Sequence, residues 1–256
     1  MPRSTSDIAS TDWQFSRNRV FTRIHSGLPD SAPWLFRVVL RSRSFLLVTV
    51  VVTVVFGAIA ASNPDWLLQF DEPVADWIRS TIGDGRAVVL VTTLGAPNLT
   101  VFVGLVGTAV LWRWCRASAL TLGALVGSAV VVDIGLKLIV DRSRPSDPVV
   151  STALGSFPSG HVIHAVVLFG LVPFVLWAFT GRKMILQAGF VVFTLVVLGV
   201  PLSRVALGAH WPSDVIVSLL IGASLLLGAE QMLTSSWASS RCSTLALHTQ
   251  DSPDGG

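Results

Sequence analysis

The sequence predicts an all-α membrane protein, a six-transmembrane-helix bundle with a short interfacial helix or helices in the first outer loop. Three observations carry this. Of 256 residues, 52% are hydrophobic and 13% charged, against about 25% charged in a soluble domain. Six stretches nearly free of ionisable residues are long enough to cross a hydrocarbon core about 30 Å thick, which takes roughly 20 residues. Tryptophans gather at their ends, among them Trp34, Trp66, Trp112, Trp114, Trp177, Trp211 and Trp237, as interfacial aromatics do.

The first span is Phe45 to Ala61. Ala58-Ile59-Ala60 resembles a signal-peptide cleavage site, but 44 mostly polar residues precede Phe45, far more than a charged n-region, so an uncleaved span is expected. In the loop that follows, Asp71-Glu72-Pro73 reads as a helix start, with Val74, Trp77 and Ile78 on one face of a surface or connector helix. The second span lies between Arg86 and Arg113; Gly95 and Pro97 break it and leave Leu99 to Trp112 as its core. The third, Ala117 to Ile139, contains Asp133 and Lys137. The fourth is His161 to Thr180 and the fifth Met184 to Leu202. The sixth, Ser213 to Met232, is the weakest, with 15 residues between Asp214 and Glu230. Residues 1–36 and 237–256, rich in Ser, Thr, Asp and Arg or ending in Asp-Gly-Gly, are expected to be mobile cytoplasmic tails around one membrane domain, 37–236.

Basic residues set the orientation, because Lys and Arg are retained in the cytoplasm. With the N-terminus inside, twelve fall inside and six, Arg79, Arg86, Lys137, Arg142, Arg144 and Arg204, outside. Both termini are therefore expected in the cytoplasm of a multi-pass plasma (inner) membrane protein. The net charge of +3 is small and scattered, which argues against a nucleic-acid partner. Cys115 and Cys242 are far apart, with no zinc-like spacing, and both fall inside, so free thiols are expected. No carboxylate or histidine cluster has metal-site spacing, so neither metal nor cofactor is expected.

The remaining ionisable residues are concentrated at span ends, where they are costly and mark function. Lys137 and Arg144-Pro145 close the third span, and Pro158-Ser159-Gly160-His161 opens the fourth. Ser203-Arg204 closes the fifth, and His210 and Asp214 open the sixth. Alternating span direction puts all four ends on one membrane face, the extracytoplasmic one. Three converging cations need an anion among them, and phosphate suits Arg and Lys donors. Ser159 and Gly160 add a helix N-terminus with unpaired N–H groups. His210 and Asp214, four apart around Pro212, can pair so that the carboxylate fixes the imidazole tautomer and makes a nucleophile. His161 is placed to act as acid and then base. Asp133 lies one turn before Lys137 and is expected to pair with it and position it. His164 reads as a polar cap, Arg182 and Lys183 as interfacial anchors, and His25 and His248 as tail residues without signal.

Lys137-Leu-Ile-Val-Asp-Arg-Ser-Arg144-Pro145, Pro158-Ser159-Gly160-His161 and Ser203-Arg204 followed by His210 and Asp214 resemble the three signature motifs of the type-2 phosphatidic acid phosphatase superfamily. The resemblance implies a metal-independent phosphatase working through a phosphohistidine. His210 would attack phosphorus, Asp214 orient it and His161 serve as acid and base. Lys137, Arg144, Ser159, Gly160 and Arg204 would hold the phosphoryl oxygens, with Arg142 in support. Six apolar spans point to the integral-membrane lipid phosphatases of the superfamily. The substrates implied are isoprenoid diphosphate carriers, phosphatidate and phosphatidylglycerophosphate, drawn from the bilayer. Two alternatives are a phosphotransferase of the same fold, which passes the phosphoryl group to a sugar or lipid hydroxyl, and a non-catalytic anion-binding membrane protein or transporter. The transporter gives no reason for two histidines.

Overall fold

The computed structural model describes residues 19–20, 22–24, 26, 43–146, 148–150 and 154–238. Among them the chain is helical and has no strand. The helices are α1 (Arg43–Ser62), α2 (Asp65–Ile82), α3 (Arg86–Thr93), α4 (Pro97–Trp112), α5 (Arg116–Val140), α6 (Gly160–Thr180), α7 (Lys183–Ala206) and α8 (Pro212–Leu233). Six segments are long and apolar enough to cross a membrane: α1, α3 with α4, α5, α6, α7 and α8. The outer faces are what a bilayer requires. Leu47, Val51 and Val54 of α1, Val131 and Ile139 of α5 and Leu195 of α7 are each at least 60% exposed in the isolated bundle.

The second span breaks where Gly95 and Pro97 indicate. α3 stops at Thr93, and α4 restarts with Pro97 in its first turn, where a missing N–H costs nothing. α7 runs past the expected Leu202 to Ala206, so Arg204 sits inside its last turn. Pro201 does not stop it, because a helix buried among helices can re-satisfy the groups a proline frees.

α2 corrects the expected helix start. It begins at Asp65, not Asp71, and carries Pro73 within it. The helix has three stripes. Leu67, Asp71, Ala75 and Ile78 are buried against the bundle. Trp66, Phe70 and Trp77 are more than half exposed and form an aromatic stripe, while Asp65, Gln69, Glu72 and Asp76 form an acidic one. A helix with one protein face, one aromatic face and one charged face fits the plane between lipid and water. Tertiary packing of the buried stripe overrides the proline.

The core lies in layers. At the end where α5 and α7 begin, Leu111, Leu122, Trp177, Leu186 and Leu233 cluster, together with Val20 and Ile24. Arg23 Nη1 donates to Ala178 O at 3.1 Å. This short stretch, expected within a mobile tail, is docked on the bundle; most of the two tails lies outside the described residues. At the opposite end Ala75 and Ile78 of α2 pack with Val162, Val200, Val205 and Val215, beneath the motif residues. Helices approach closely through small residues: Gly104 of α4 faces Val126, and Gly222 of α8 faces Val166, the usual device for packing inside lipid.

Cys115 corrects a second expectation. It is disulfide-bonded rather than free. It caps α5, with its Sγ accepting from Ser118 N at 3.3 Å, and it packs with Ala117 and Ala238, only four residues before Cys242 in the sequence. Cys242 itself lies outside the described residues.

Candidate active site

The site is built where α5 ends, α6 begins, α7 ends and α8 begins. α5 stops at Asp141, which takes the left-handed conformation (φ 43°) and returns its N–H to Lys137 O at 3.1 Å. Asp tolerates that conformation better than most residues. The loop that follows is stitched to its surroundings. Ser156 N donates to Arg142 O at 2.8 Å and Trp211 Nε1 to Ser143 O at 2.9 Å. Arg144 Nε donates to Leu154 O at 2.9 Å and Nη2 to Gly155 O at 3.0 Å, while Nη1 donates to Ala209 O. Arg144 thus spends three donors tying the loop to the turn that carries His210, and its forked head keeps further N–H groups for a ligand. Burial pushes its pKa below the ordinary value, against the opposing pull of the Asp214 and Asp133 carboxylates.

His210 is buried. Its Nδ1 lies 2.5 Å from Ser156 O; a carbonyl only accepts, so Nδ1 carries the proton and Nε2 presents a lone pair. This corrects the expected pairing with Asp214, whose Oδ2 lies 4.0 Å from Nδ1, beyond a hydrogen bond. Asp214 is engaged elsewhere: Oδ2 accepts from Trp211 N at 3.1 Å and Oδ1 from Arg142 Nη1 at 2.6 Å. The reason is competition. A guanidinium and a backbone N–H hold the carboxylate away from the imidazole, and the Ser156 carbonyl sets the tautomer in its place. Burial first, then the charges of Arg204, Arg144 and Lys137, hold the His210 pKa well below the usual imidazole value.

His161, in the first turn of α6, feels the same three cations, Arg204, Lys137 and Arg144. Contacts join the groups: Arg144 meets Ala209 O beside His210, and the Asp133 carboxylate lies against Gly160 beside His161. Lys137 Nζ meets Asp133 Oδ1 at 2.5 Å, the expected pair one turn apart. The Asp133 carboxylate also fills the space where a Cβ on Gly160 would sit, so Gly160 makes room for the pair beneath the N-terminus of α6. Ser159 occupies the N-cap position, yet its hydroxyl caps nothing and has no partner although it is fully buried. Its N–H is taken by Ser218 Oγ at 2.8 Å, which in turn donates to Asp214 O at 2.6 Å. Of the expected anion-holding groups at this helix start, the Ser159 N–H is thus occupied and its hydroxyl is open. Arg204 is 4% exposed; Nη1 donates to Thr92 Oγ1 at 3.2 Å and Nε has no partner.

Arg142 is drawn away from that pocket. Its side chain is fully buried between two carboxylates, with Nη2 2.7 Å from Asp71 Oδ2 and Nη1 2.6 Å from Asp214 Oδ1. Asp71 also accepts from Ser213 N at 2.9 Å and from Ser213 Oγ at 2.6 Å. Asp71, Ser213, Ser218, Ser156 and Thr92 are the site residues that motif reasoning missed. A signal existed for Asp71, an acid on an otherwise apolar helical stripe. His164 is not the polar cap expected of it: it is fully buried with neither ring nitrogen partnered.

An unpartnered hydroxyl and guanidinium nitrogen, three cations and one imidazole lone pair are the donor and acceptor chemistry that suits a tetrahedral oxyanion. Residues 117–237, which hold all of these groups but neither Asp71 nor Thr92, match the family model described as the PAP2 superfamily. Over this stretch the chain is similar to that family. Two curated relatives of the PAP2 region, the decaprenylphosphoryl-5-phosphoribose phosphatases of Mycobacterium tuberculosis strains CDC 1551 / Oshkosh and ATCC 25618 / H37Rv, are each 32% identical over 118 residues. The match covers 44% of this chain and 57% of each relative, so the chain spans little more than half the length of the curated proteins it matches. A solved structure, the transmembrane PAP2-type phosphatidylglycerolphosphate phosphatase of Bacillus subtilis, shares the fold with a TM-score of 0.61 at 22% identity, over 70% of this chain and 93% of that one. The fold is thus that of a multi-pass membrane PAP2 protein.

Proposed function

We propose that the chain is an integral-membrane lipid phosphatase that hydrolyses a lipid phosphate or diphosphate through a phosphohistidine, without a metal. The observation that carries this is the convergence of two imidazoles and three cations at four helix ends, with Arg144 bonded to the turn that carries His210 and the Asp133–Lys137 pair lying against the start of α6 beside His161. An anion-binding protein needs the cations but not a neutral histidine with its lone pair free.

His210 Nε2 attacks phosphorus. A P–N bond forms and the P–O bond to the lipid breaks; the bound phosphoryl anion offsets the three cations and lets His161 carry a proton, which it gives to the departing oxygen. A water then attacks the phosphohistidine, His161 takes the water's proton, the P–N bond breaks and inorganic phosphate leaves. Lys137, Arg144, Arg204, the Ser159 hydroxyl and the Gly160 N–H hold the oxygens, where donors fixed in advance act on charge as it develops. Ser156 O holds the His210 tautomer and Arg142 fixes Asp214. Asp133 positions Lys137, so Asp133→Asn lowers turnover without preventing membrane insertion.

The relatives act, by name, on a prenylphosphoryl phosphoribose and on phosphatidylglycerolphosphate. For this chain the substrate classes are isoprenoid diphosphates, phosphatidate and phosphatidylglycerophosphate. The balance of basic residues supports a site on the extracytoplasmic side of the plasma membrane, with domain 37–236 in the bilayer and both termini inside.

The test is phosphate release from these lipids by purified wild type and by His210→Ala. Wild type releases phosphate with or without a chelator, vanadate inhibits, and an acid-labile phosphohistidine is trapped on quenching; His210→Ala does none of this. Reversible loss of turnover on chelation, or activity retained in His210→Ala, would sink the reading. A phosphotransferase would show itself by release that depends on an added hydroxyl acceptor.

A further inference from the structure

Among the six outer cations, Arg79 and Arg86 lie outside the motifs, and the structure gives Arg79 an unusual position. It sits in the last turn of α2, with Nε and Nη2 buried and without hydrogen-bond partners. A guanidinium left that way costs free energy unless something else meets it. It lines a cleft of about 220 Å³ with Asp84, Val149, Leu207 and Gly208 among the other walls.

The cleft adjoins the site. Gly208 takes a left-handed conformation (φ 66°), and a Cβ there would lie 2.9 Å from Arg79 Nη2, so the glycine makes room for the guanidinium. His210 is two residues further on, at most about 7 Å of extended chain. Val149 N donates to Leu207 O at 3.0 Å, which joins the opposite wall to the same turn. The cleft therefore lies beside the turn that carries the nucleophile. Its lining has two characters. Arg79 offers planar donors that match phosphate oxygens, while the Asp84 carboxylate accepts from hydroxyl groups and disfavours a bare anion on its own side.

We propose that this cleft is a second anion subsite, which takes the phosphate that is not hydrolysed in a lipid whose headgroup carries two phosphates joined by a short polyol. The inference rests on the phosphatase reading and narrows its substrate class: the terminal monoester lies among Lys137, Arg144 and Arg204, the inner phosphodiester meets Arg79, and hydroxyls of the bridge face Asp84. A lipid with a single phosphate leaves Arg79 unmet.

The test compares kcat/KM for phosphatidylglycerophosphate with that for phosphatidate in mixed micelles, for wild type, Arg79→Ala and Val149→Trp, which fills the cleft without touching the charge. Wild type favours the two-phosphate lipid, and in both variants the ratio of the two values falls about tenfold, the size of one lost charge-assisted contact. Remaining phosphatidate turnover shows that the variants fold. An unchanged ratio in Arg79→Ala overturns the proposal. Should wild type release phosphate from neither lipid, the phosphatase reading fails for these substrates and the subsite is read by itself. Calorimetric titration of His210→Ala then compares propane-1,3-diyl bisphosphate with propyl phosphate. About tenfold preference for the bisphosphate, lost when Arg79→Ala is added, supports the subsite; equal affinities overturn it.

Discussion

Arg142 and Arg204 are both buried arginines of the motifs, and their partners set them different tasks. Arg142 neutralises two buried carboxylates, Asp71 and Asp214. Arg204 has only the Thr92 hydroxyl and an unpartnered Nε. Removing Arg142 strands two acids in the interior, which costs about 3–5 kcal/mol; removing Arg204 strands none. Arg142→Ala should therefore unfold at clearly lower denaturant than wild type in detergent, whereas Arg204→Ala should keep its midpoint and lose turnover. Equal loss of stability in the two variants would contradict this division. His210 supplies a pH prediction. Its folded pKa lies well below the usual value, so between the two values the unfolded chain binds a proton that the folded chain does not. Stability then rises with pH up to about 6.5 and falls on acidification. Thermal midpoints measured from pH 7 down to pH 5 should drop for wild type and drop less for His210→Gln. The motif sequence made His210, His161 and the three cations legible, because charge at a span end is rare and stands out. It could not show that Ser156 O, rather than Asp214, holds the imidazole, since a backbone carbonyl has no signature in the sequence.

The break between α3 and α4 positions a residue it does not contain. A Cβ on Gly95 would run into His161 O and lie 2.9 Å from Val200 Cγ1, so the start of α6 rests directly on the glycine. Gly95→Val should push the first turn of α6 away from the cations. Misplacement by about 1 Å can cost roughly 100-fold, so phosphate release should fall by about that factor while the variant still inserts and elutes as wild type by gel filtration in detergent. Wild-type turnover would show that the contact does not place His161. The helices themselves were legible for a simple reason: uncharged runs leave little choice in lipid, and Gly95 with Pro97 announced the break. α2 was misjudged at its start because Asp-Glu-Pro is a strong local signal, and the packing of Leu67, Asp71, Ala75 and Ile78 that overrides it is tertiary. The end of α7 was placed four residues early for the same reason, since Pro201 and Arg204 end a hydrophobic run without ending the helix.

At the scale of the whole molecule two physical arguments meet at the end of the bundle opposite the site. The basic residues Arg113, Arg116, Arg182 and Lys183 gather there, which supports the proposed orientation with that end in the cytoplasm. Cys115 lies at the same end and is disulfide-bonded, which favours an oxidising compartment. The charges act during insertion and fix topology once, whereas a thiol responds to whatever redox surroundings it later meets. On the proposed orientation Cys115 faces the cytoplasm, and the pair is then expected to be reduced in the cell. In intact cells carrying Cys115→Ser/Cys242→Ser, a membrane-impermeant maleimide should label a cysteine introduced at Val149, which is 54% exposed beside the site. In cells that keep the native pair, thiols trapped before lysis should be free. If Val149→Cys is shielded until the membrane is opened and Cys115 is already cross-linked in the cell, the molecule lies the other way round and its substrate comes from the cytoplasmic leaflet.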